Sequence, residues 1–315
     1  MYRAMQRSVA APVSSVVAAF SERMPKTLSL QTAPLQIIYH NQNLFHTFIE
    51  LNDALEVLFV LEGLKPACRQ LVHEDDVHRV VGFCESSGLY WELSDFKILK
   101  DKELLVVPEY PGDGHYFVYL SRSKDVSQLA KFYEATRNDA LLGDVLGYPQ
   151  CCVRFYLTNY ARAVKLHDDY TLMSIANTHF QPSFVTNNMA RFFSVSLISH
   201  FPCSYNCPET EKMGSAFFEC IKTFNPSLAA YVKDVLQGPV ISHASTGVHL
   251  LKGANAVGST IWYKEPWLTS PNEMHATLRL CNNIKYLGRN HIQLCQDDHM
   301  VEDVSGDHVG FVMFE

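Results

Sequence analysis

The alternation of apolar and polar positions changes character twice along the chain. In the first stretch, Leu35-Gln36-Ile37-Ile38-Tyr39 reads as a short strand. Phe45 to Leu71 is apolar at helical spacing and breaks near Gly63 and Pro66, which predicts two helices. Val77 to Gly88 predicts another helix, and Tyr90 to Leu99 a strand. Leu104-Leu105-Val106-Val107 and Tyr116 to Leu120 read as strands flanking the turn Pro111-Gly112-Asp113-Gly114, as a hairpin or a loop. From Ser123 the period becomes helical. Val126, Leu129, Ala130 and Tyr133 share one helix face, Val153, Tyr156, Leu157 and Tyr160 another, and Met213, Ala216, Phe217, Cys220, Ile221 and Phe224 a third. Asn225-Pro226 then supplies an N-cap and a first-turn proline for a helix reaching Leu236. Past Gly238 the pattern turns to short strands: Pro239–His243, Val248–Leu251, Ser259–Tyr263, His275–Leu280, Ile284–Leu287, His291–Cys295 and Val309–Phe314.

These textures predict an α+β fold in four stretches. A flexible or peripheral arm covers 1–30, a mixed α/β region 31–122, a helical region 123–237 and a β-rich region 238–315. The arm carries Arg3, Arg7, Arg23 and Lys26 against Glu22, as a targeting peptide would. Pro12, Ser14 and Ser15 interrupt its apolar run, however, and no A-x-A cleavage signal is evident. No window approaches the roughly 20 apolar residues of a membrane span. A formal charge of -7 argues against a nucleic-acid partner, which would call for a basic face. The nine cysteines are odd in number and lie in a chain too long for a disulfide-stapled secreted module, so a reducing cytoplasm is expected.

Four of those cysteines stand apart. Cys151-Cys152 follow Tyr148-Pro149 at the start of a predicted helix, and Cys203-x3-Cys207 is followed by Pro208 and another. Free N–H groups and the macrodipole at helix starts favour thiolate, the form that ligates metals and attacks electrophiles. His200, three residues before Cys203, is a candidate fourth ligand or acid/base group. Ser204 and Asn188 are candidate polar partners of a cofactor, and Arg154 or Arg191 a seat for an anionic substrate. Adjacent side chains diverge, so the simplest ligand set takes one of Cys151 and Cys152 with Cys203 and Cys207.

On a [4Fe–4S] cluster, three thiolates leave one iron open for substrate, which predicts lyase, dehydration or sulfur-transfer chemistry on a small polar molecule or peptide. Cys152, as the spare thiol, would then take a catalytic role beside His200. With His200 as fourth ligand, the alternative is a structural zinc site in a binding or assembly protein. A metal-free redox protein using the vicinal pair is the third reading. Cys203-x3-Cys207-x2-Thr210 copies the spacing of radical S-adenosylmethionine enzymes, but threonine replaces the third cysteine and no strand series announces a β/α barrel.

Leu146-Gly147-Tyr148-Pro149-Gln150-Cys151-Cys152-Val153-Arg154-Phe155 and His200-Phe201-Pro202-Cys203-Ser204-Tyr205-Asn206-Cys207 resemble the Leu-Gly-Tyr-Pro-x-Cys-Cys-x-x-Phe and His-x-Pro-Cys-Ser-x-x-Cys motifs of an uncharacterised family of archaeal and bacterial proteins. The resemblance runs from about Tyr116 to Leu236. It implies a shared site and supplies no reaction.

The remaining candidates read as structure. Cys220 lies on an apolar helix face, and Cys68, Cys84, Cys281 and Cys295 lack nearby ligand partners. Asp297-Asp298-His299, Glu302-Asp303 and Asp307-His308 read as a solvated, turn-rich segment rather than a divalent-ion site. His243 and His249 read as ordinary surface or core histidines.

Overall fold

The structure is a computed structural model that describes residues 42–48, 50–99, 105–108, 113–166, 170–268 and 271–315. The arm at 1–30, the strand expected at Leu35–Tyr39, and Pro111 and Gly112 of the expected turn lie outside those residues. The architecture is α+β, with helices in the centre and sheets on either side in sequence.

Two helices open the described chain, α1 (Gln42–Thr47) and α2 (Leu51–Leu61). Helix α2 buries Leu51, Ala54, Leu55, Val57, Leu58, Phe59 and Val60, so it is apolar nearly all round and lies inside the core. Gly63, at φ 73, ends it: Gly63 N–H bonds to the Val60 carbonyl and Leu64 N–H to that of Phe59. The second helix of the pair expected over 45–71 is replaced by a strand, β1 (Ala67–His73). Pro66 turns its predecessor away from helical angles, and a seven-residue antiparallel register with β5 (His115–Ser121) satisfies the β1 backbone.

The strand expected at 90–99 is interrupted at Ser94-Asp95, giving β2 (Tyr90–Leu93) and β3 (Phe96–Leu99) beside β5. Buried Ser94 bridges the break, its hydroxyl donating to the Phe96 carbonyl at 2.7 Å and accepting from the Phe117 N–H at 3.1 Å. Strand β4 (Leu105–Pro108) pairs with β3 rather than β5. Of the hairpin or loop expected across 111–114, the hairpin is therefore not formed, and β4 pairs with β3 in the sheet order β1-β5-β3-β4.

This sheet is covered on both faces. Val118 and Leu120 join the main core with α2 and α3 (Val77–Ser87). Tyr119, between them in sequence, points the other way and packs with Ala130 of α4 (Lys124–Ala135) and Leu142 of α5 (Asp139–Val145). The helical centre continues with α6 (Gln150–Leu166), α7 (Thr171–Ala176), two 3-10 turns at Phe184–Thr186 and Met189–Phe193, then α8 (Pro208–Phe224) and α9 (Pro226–Leu236). Asn225 caps α9 by accepting from the Leu228 N–H, with Pro226 in the first turn as expected.

The last part holds two antiparallel sheets. One has the order β10-β7-β6-β14, from β6 (Gly238–His243), β7 (Gly247–Lys252), β10 (Glu265–Leu268) and β14 (Val309–Phe314). The other has the order β13-β12-β11-β9-β8, from β8 (Asn255–Val257), β9 (Thr260–Trp262), β11 (Asn283–Gly288), β12 (His291–Gln296) and β13 (His299–Ser305). The first sheet has two apolar faces. Val240, Leu250, Val312 and Phe314 join the main helical core, whereas Ile241, Leu251, Val309 and Phe311 pack on Ile284, Ile292 and Leu294 of the second sheet.

Two expectations change here. His275–Leu280 is helical, within α10 (Glu273–Leu280): Asn272 accepts from the His275 N–H, and Met274 and Leu278, one turn apart, are both buried. The acidic segment contains the exposed edge strand β13, in which Asp303 pairs with His291 at 2.9 Å. Among the described residues, no pairing between strands is parallel, so the β/α barrel of a radical enzyme is absent there. No helix among them is long and apolar enough to cross a membrane.

His249 is fully buried in β7, where its Nε2 bonds to the Thr246 hydroxyl at 3.2 Å and its Nδ1 has no partner among the described residues. Burial first, then the neighbouring His275 and His243, lowers its pKa from 6.5 to about 3. A base weakened by folding is protonated first in the unfolded chain, so stability is full above pH 6.5 and drains away as pH falls toward 3. Urea unfolding at pH 7 and pH 5 is expected to show a marked loss on acidification, and His249→Leu a smaller one. Equal losses in the two proteins would remove His249 from the account.

Candidate metal centre

Gly147 closes α5 in the left-handed conformation at φ 77, with Gly147 N–H bonded to the Asp144 carbonyl and Tyr148 N–H to that of Gly143. These two bonds form a Schellman stop. Pro149 then opens α6, its carbonyl receiving the N–H groups of Cys152 and Val153. The sequence between Leu146 and Cys152 is therefore a helix–helix corner that places both thiols in the first turn of α6. On the other segment Cys207 is the N-cap of α8 and Pro208 its first residue, as the spacing predicts.

The loop between His200 and Cys207 is held from behind. Tyr205 is fully buried, its hydroxyl donating to Asn188 at 3.0 Å, while Asn188 donates to the His200 carbonyl at 3.0 Å. Ser174 donates to the Pro202 carbonyl at 2.6 Å and Asn177 to that of Cys203 at 2.9 Å. The Asn206 side chain accepts from the N–H groups of His179 and Phe180. Ser204 folds its hydroxyl onto the Asn206 N–H at 3.1 Å. Asn188 and Ser204, expected as cofactor partners, thus bond to the loop itself. Arg154 is exposed, one turn along α6 from Cys151, and Arg191 donates to the Asn188 carbonyl at 2.8 Å.

With the loop so placed, the four sulfur atoms of Cys151, Cys152, Cys203 and Cys207 lie within 4.8 Å of one another, a group able to hold a metal ion. Cys151 and Cys207 are 3.5 Å apart, and Cys152 lies 3.8 Å from each of them. Among the described residues no other cluster of histidine, cysteine or carboxylate side chains has such a geometry. Both members of the vicinal pair point to the same centre, although neighbouring side chains were expected to diverge; the first helical turn brings their sulfurs together. Cys151 is exposed at the mouth, Cys203 is intermediate, and Cys152 and Cys207 are buried.

Cys152 is the most tethered of the four. It receives the Cys203 N–H at 3.3 Å and lies 3.3 Å from the Thr210 hydroxyl. Thr210 in turn bonds to His200 Nε2 at 2.9 Å. His200 therefore stands behind the sulfurs, not among them. Burial, then the positive charge of Lys65, lowers its pKa to about 3 and keeps the imidazole neutral. Tyr148 packs on His200 in a tilted arrangement with ring centroids 5.3 Å apart. Buried Lys65 bonds to Glu56 at 2.5 Å and to Ser199 at 3.0 Å. Burial, the largest influence, would weaken the Lys65 ammonium, but Glu56, Tyr148 and Cys68 together outweigh it and raise the pKa.

Thr210, Lys65 and Glu56 carry no motif that assigns them to the site. Thr210 was visible only as the residue replacing a cysteine, and Lys65 and Glu56 arrive through the packing of α2 and its following turn. Cys68, Cys84, Cys281 and Cys295 are buried away from the cluster, and Cys220 packs partly buried on the main core, all as expected.

The four thiols compete for protons. Contacts from Cys152 and Cys203 hold Cys207 well below the ordinary thiol range. Contacts with Cys203 and Cys207, followed by burial, push Cys152 far up. Burial and Cys207 raise Cys151. At Cys203 the contact with Cys152 lowers the value, but Cys207 and burial outweigh it and raise it to about 12. The cluster thus accepts one negative charge and resists the next, and a bound cation would release the remaining protons.

A separate cavity of about 280 Å³ is lined by the Thr178–Pro182 segment with Ile261, Tyr286, Arg289 and Phe311. It contains none of the four cysteines.

Gly147 sets the corner that carries Cys151 and Cys152, and a Cβ there would sit 2.7 Å from Pro66 Cδ. Gly147→Ala is expected to lower stability by about 1–2 kcal/mol through the left-handed backbone alone, measured by urea unfolding. Unchanged stability would show that the corner relaxes without strain.

A family model described as "Protein of unknown function (DUF483)" matches residues 122–231. That span lies within the stretch over which the sequence resembles an uncharacterised family, and it contains both cysteine segments. No curated protein and no solved structure matches the chain. Residues 122–231 are thus similar to a family whose description names no reaction.

Proposed function

We propose that the protein is a binding or assembly protein whose helical centre is closed by one zinc ion held by Cys151, Cys152, Cys203 and Cys207. The observation that carries this reading is the sulfur spacing. A tetrahedral zinc ion with thiolates at about 2.3 Å sets its sulfurs about 3.8 Å apart; the separations among Cys151, Cys152 and Cys207 are 3.5, 3.8 and 3.8 Å, and Cys203 lies within 4.8 Å of each. A four-iron cubane gives each thiolate its own iron atom, with the cluster body between them, and spreads its ligands farther.

Ligand number points the same way. The iron–sulfur enzyme expected from the motifs relies on three thiolates and an iron open to substrate. Four sulfurs converging on one point leave no open position, which is the arrangement of a structural site. His200 supports it from outside: its Nε2 is engaged by Thr210, and Thr210 also touches Cys152. The ion would join the start of α6 to the loop and cap of α8, segments far apart in sequence (Cys152 to Cys207 spans 55). Binding free energy of that kind is folding free energy.

Protein purified without oxygen is expected to be colourless, with one zinc per chain and no acid-labile sulfide. Brown protein with iron and sulfide would overturn the reading in favour of the cluster enzyme. Cys207→Ser should weaken zinc binding by more than the roughly 10–100-fold typical of outer-shell partners, whereas Cys220→Ser should retain it, by metal analysis after competition with a chelator. Zinc removal should lower the melting temperature. A chelator that strips the metal without moving the melt would deny it a structural role.

A further inference from the structure

The four sulfurs are not equivalent toward solvent. Cys151 is exposed, while Cys152 and Cys207 are buried behind it. An oxidant arriving from water meets the Cys151 sulfur first. The nearest measured partner of that sulfur is Cys207, at 3.5 Å. A disulfide is about 2.05 Å long, so a short approach of two side chains on different helices closes the bond.

The vicinal alternative to this partner is held back. Bonding Cys151 to Cys152 would close an eight-membered ring around one peptide unit within the first turn of α6, against the planar trans peptide that the turn uses. The Cys152 sulfur is also tied down by the Cys203 N–H and faces the Thr210 hydroxyl. Cys207 occupies the N-cap position of α8 without a side-chain cap of ordinary hydrogen-bond geometry, although the Thr210 N–H and hydroxyl lie near enough to favour its thiolate.

We propose that Cys151 and Cys207 are an oxidation-sensitive pair, converted by hydrogen peroxide into a disulfide that releases the ion held by the four sulfurs. This rests on the single-ion reading above and adds a regulation of that site. In the first step the Cys151 sulfur attacks a peroxide oxygen, the O–O bond breaks, and hydroxide leaves and takes up a proton. Cys151 then carries S–OH. In the second step the Cys207 thiolate attacks the Cys151 sulfur, the S–S bond forms as the S–O bond breaks, and the departing hydroxide is protonated to water. Two thiolates lose two electrons and peroxide is reduced to two waters, with two protons consumed. The ion is left with Cys152 and Cys203 alone, and a two-thiolate site cannot close its tetrahedron.

The test uses the full chain as purified, with its metal content measured first. Hydrogen peroxide is added in steps while a chromogenic indicator reports free zinc, and the thiols are mapped by alkylation and peptide mass spectrometry. The expected result is release of about one zinc per disulfide formed, with Cys151 and Cys207 joined and Cys152 and Cys203 still open to alkylation. A dithiol reductant should restore zinc binding. Zinc retained with four intact thiols under excess peroxide overturns the proposal, as does a first-formed disulfide between any other pair. Absence of metal in the untreated protein would instead count against the single-ion reading on which the proposal stands. Cys151→Ser serves as a second measurement: where it retains zinc, its release by peroxide should slow at least tenfold, and release at the unaltered rate overturns the pairing.

Discussion

Mutual repulsion among four closely packed sulfurs is the constraint on which this structure turns. Thiols within 4.8 Å of one another in a half-buried setting share protons, so one becomes anionic at the expense of the rest. Cys207 is that sulfur, and Cys152 the one most resistant. A cation that accepts all four at once relieves the repulsion and binds two chain segments to each other. Without one, the convergence would cost stability and gain only contact between small side chains.

The surrounding scaffold places the sulfurs before any ion is considered. Schellman geometry at Gly147 and a proline start at Pro149 fix one side. On the other side, the loop from His200 to Cys207 hangs on a buried framework of Tyr205, Asn188, Thr178 and Ser174, whose polar groups bond to one another or to the loop backbone. Buried polar groups that are satisfied in this way are rigid, because each broken bond leaves a partner without water to replace it. The rigidity is directed at position rather than chemistry. These side chains bond to the loop and to each other, and the one that touches a sulfur, Thr210, is braced in turn by His200.

Farther out, the β10-β7-β6-β14 sheet joins the main helical core to the core beneath the last sheet. Its alternating residues feed two cores, so β6, β7 and β14 are apolar on both faces and read as nearly continuous hydrophobic runs. Glu315, just past β14, extends these contacts: Phe184 N–H bonds to the Glu315 carbonyl and Glu315 N–H to that of Pro182. Strand β14 is thereby fixed beside the segment that supports the cysteine loop.

Local elements and the identity of the four sulfurs were legible in the amino-acid order alone. Helical spacing marks α4, α6 and α8, because an amphipathic face is a property of neighbouring residues. Proline and asparagine mark the starts of α6, α8 and α9 for the same local reason. The unusual density of cysteine beside those starts was sufficient to single out Cys151, Cys152, Cys203 and Cys207. Everything else came from contacts between distant segments. Ala67–His73 is a strand because β5 lies beside it, and His275–Leu280 a helix because Met274 and Leu278 face a core that period alone does not reveal. That both vicinal cysteines join the centre, that His200 stands behind Thr210, and that Lys65 with Glu56 lies nearby all depend on distances between segments far apart in sequence. Sulfur spacing is such a distance, and it is what turned an expected open cluster into a closed single-ion proposal.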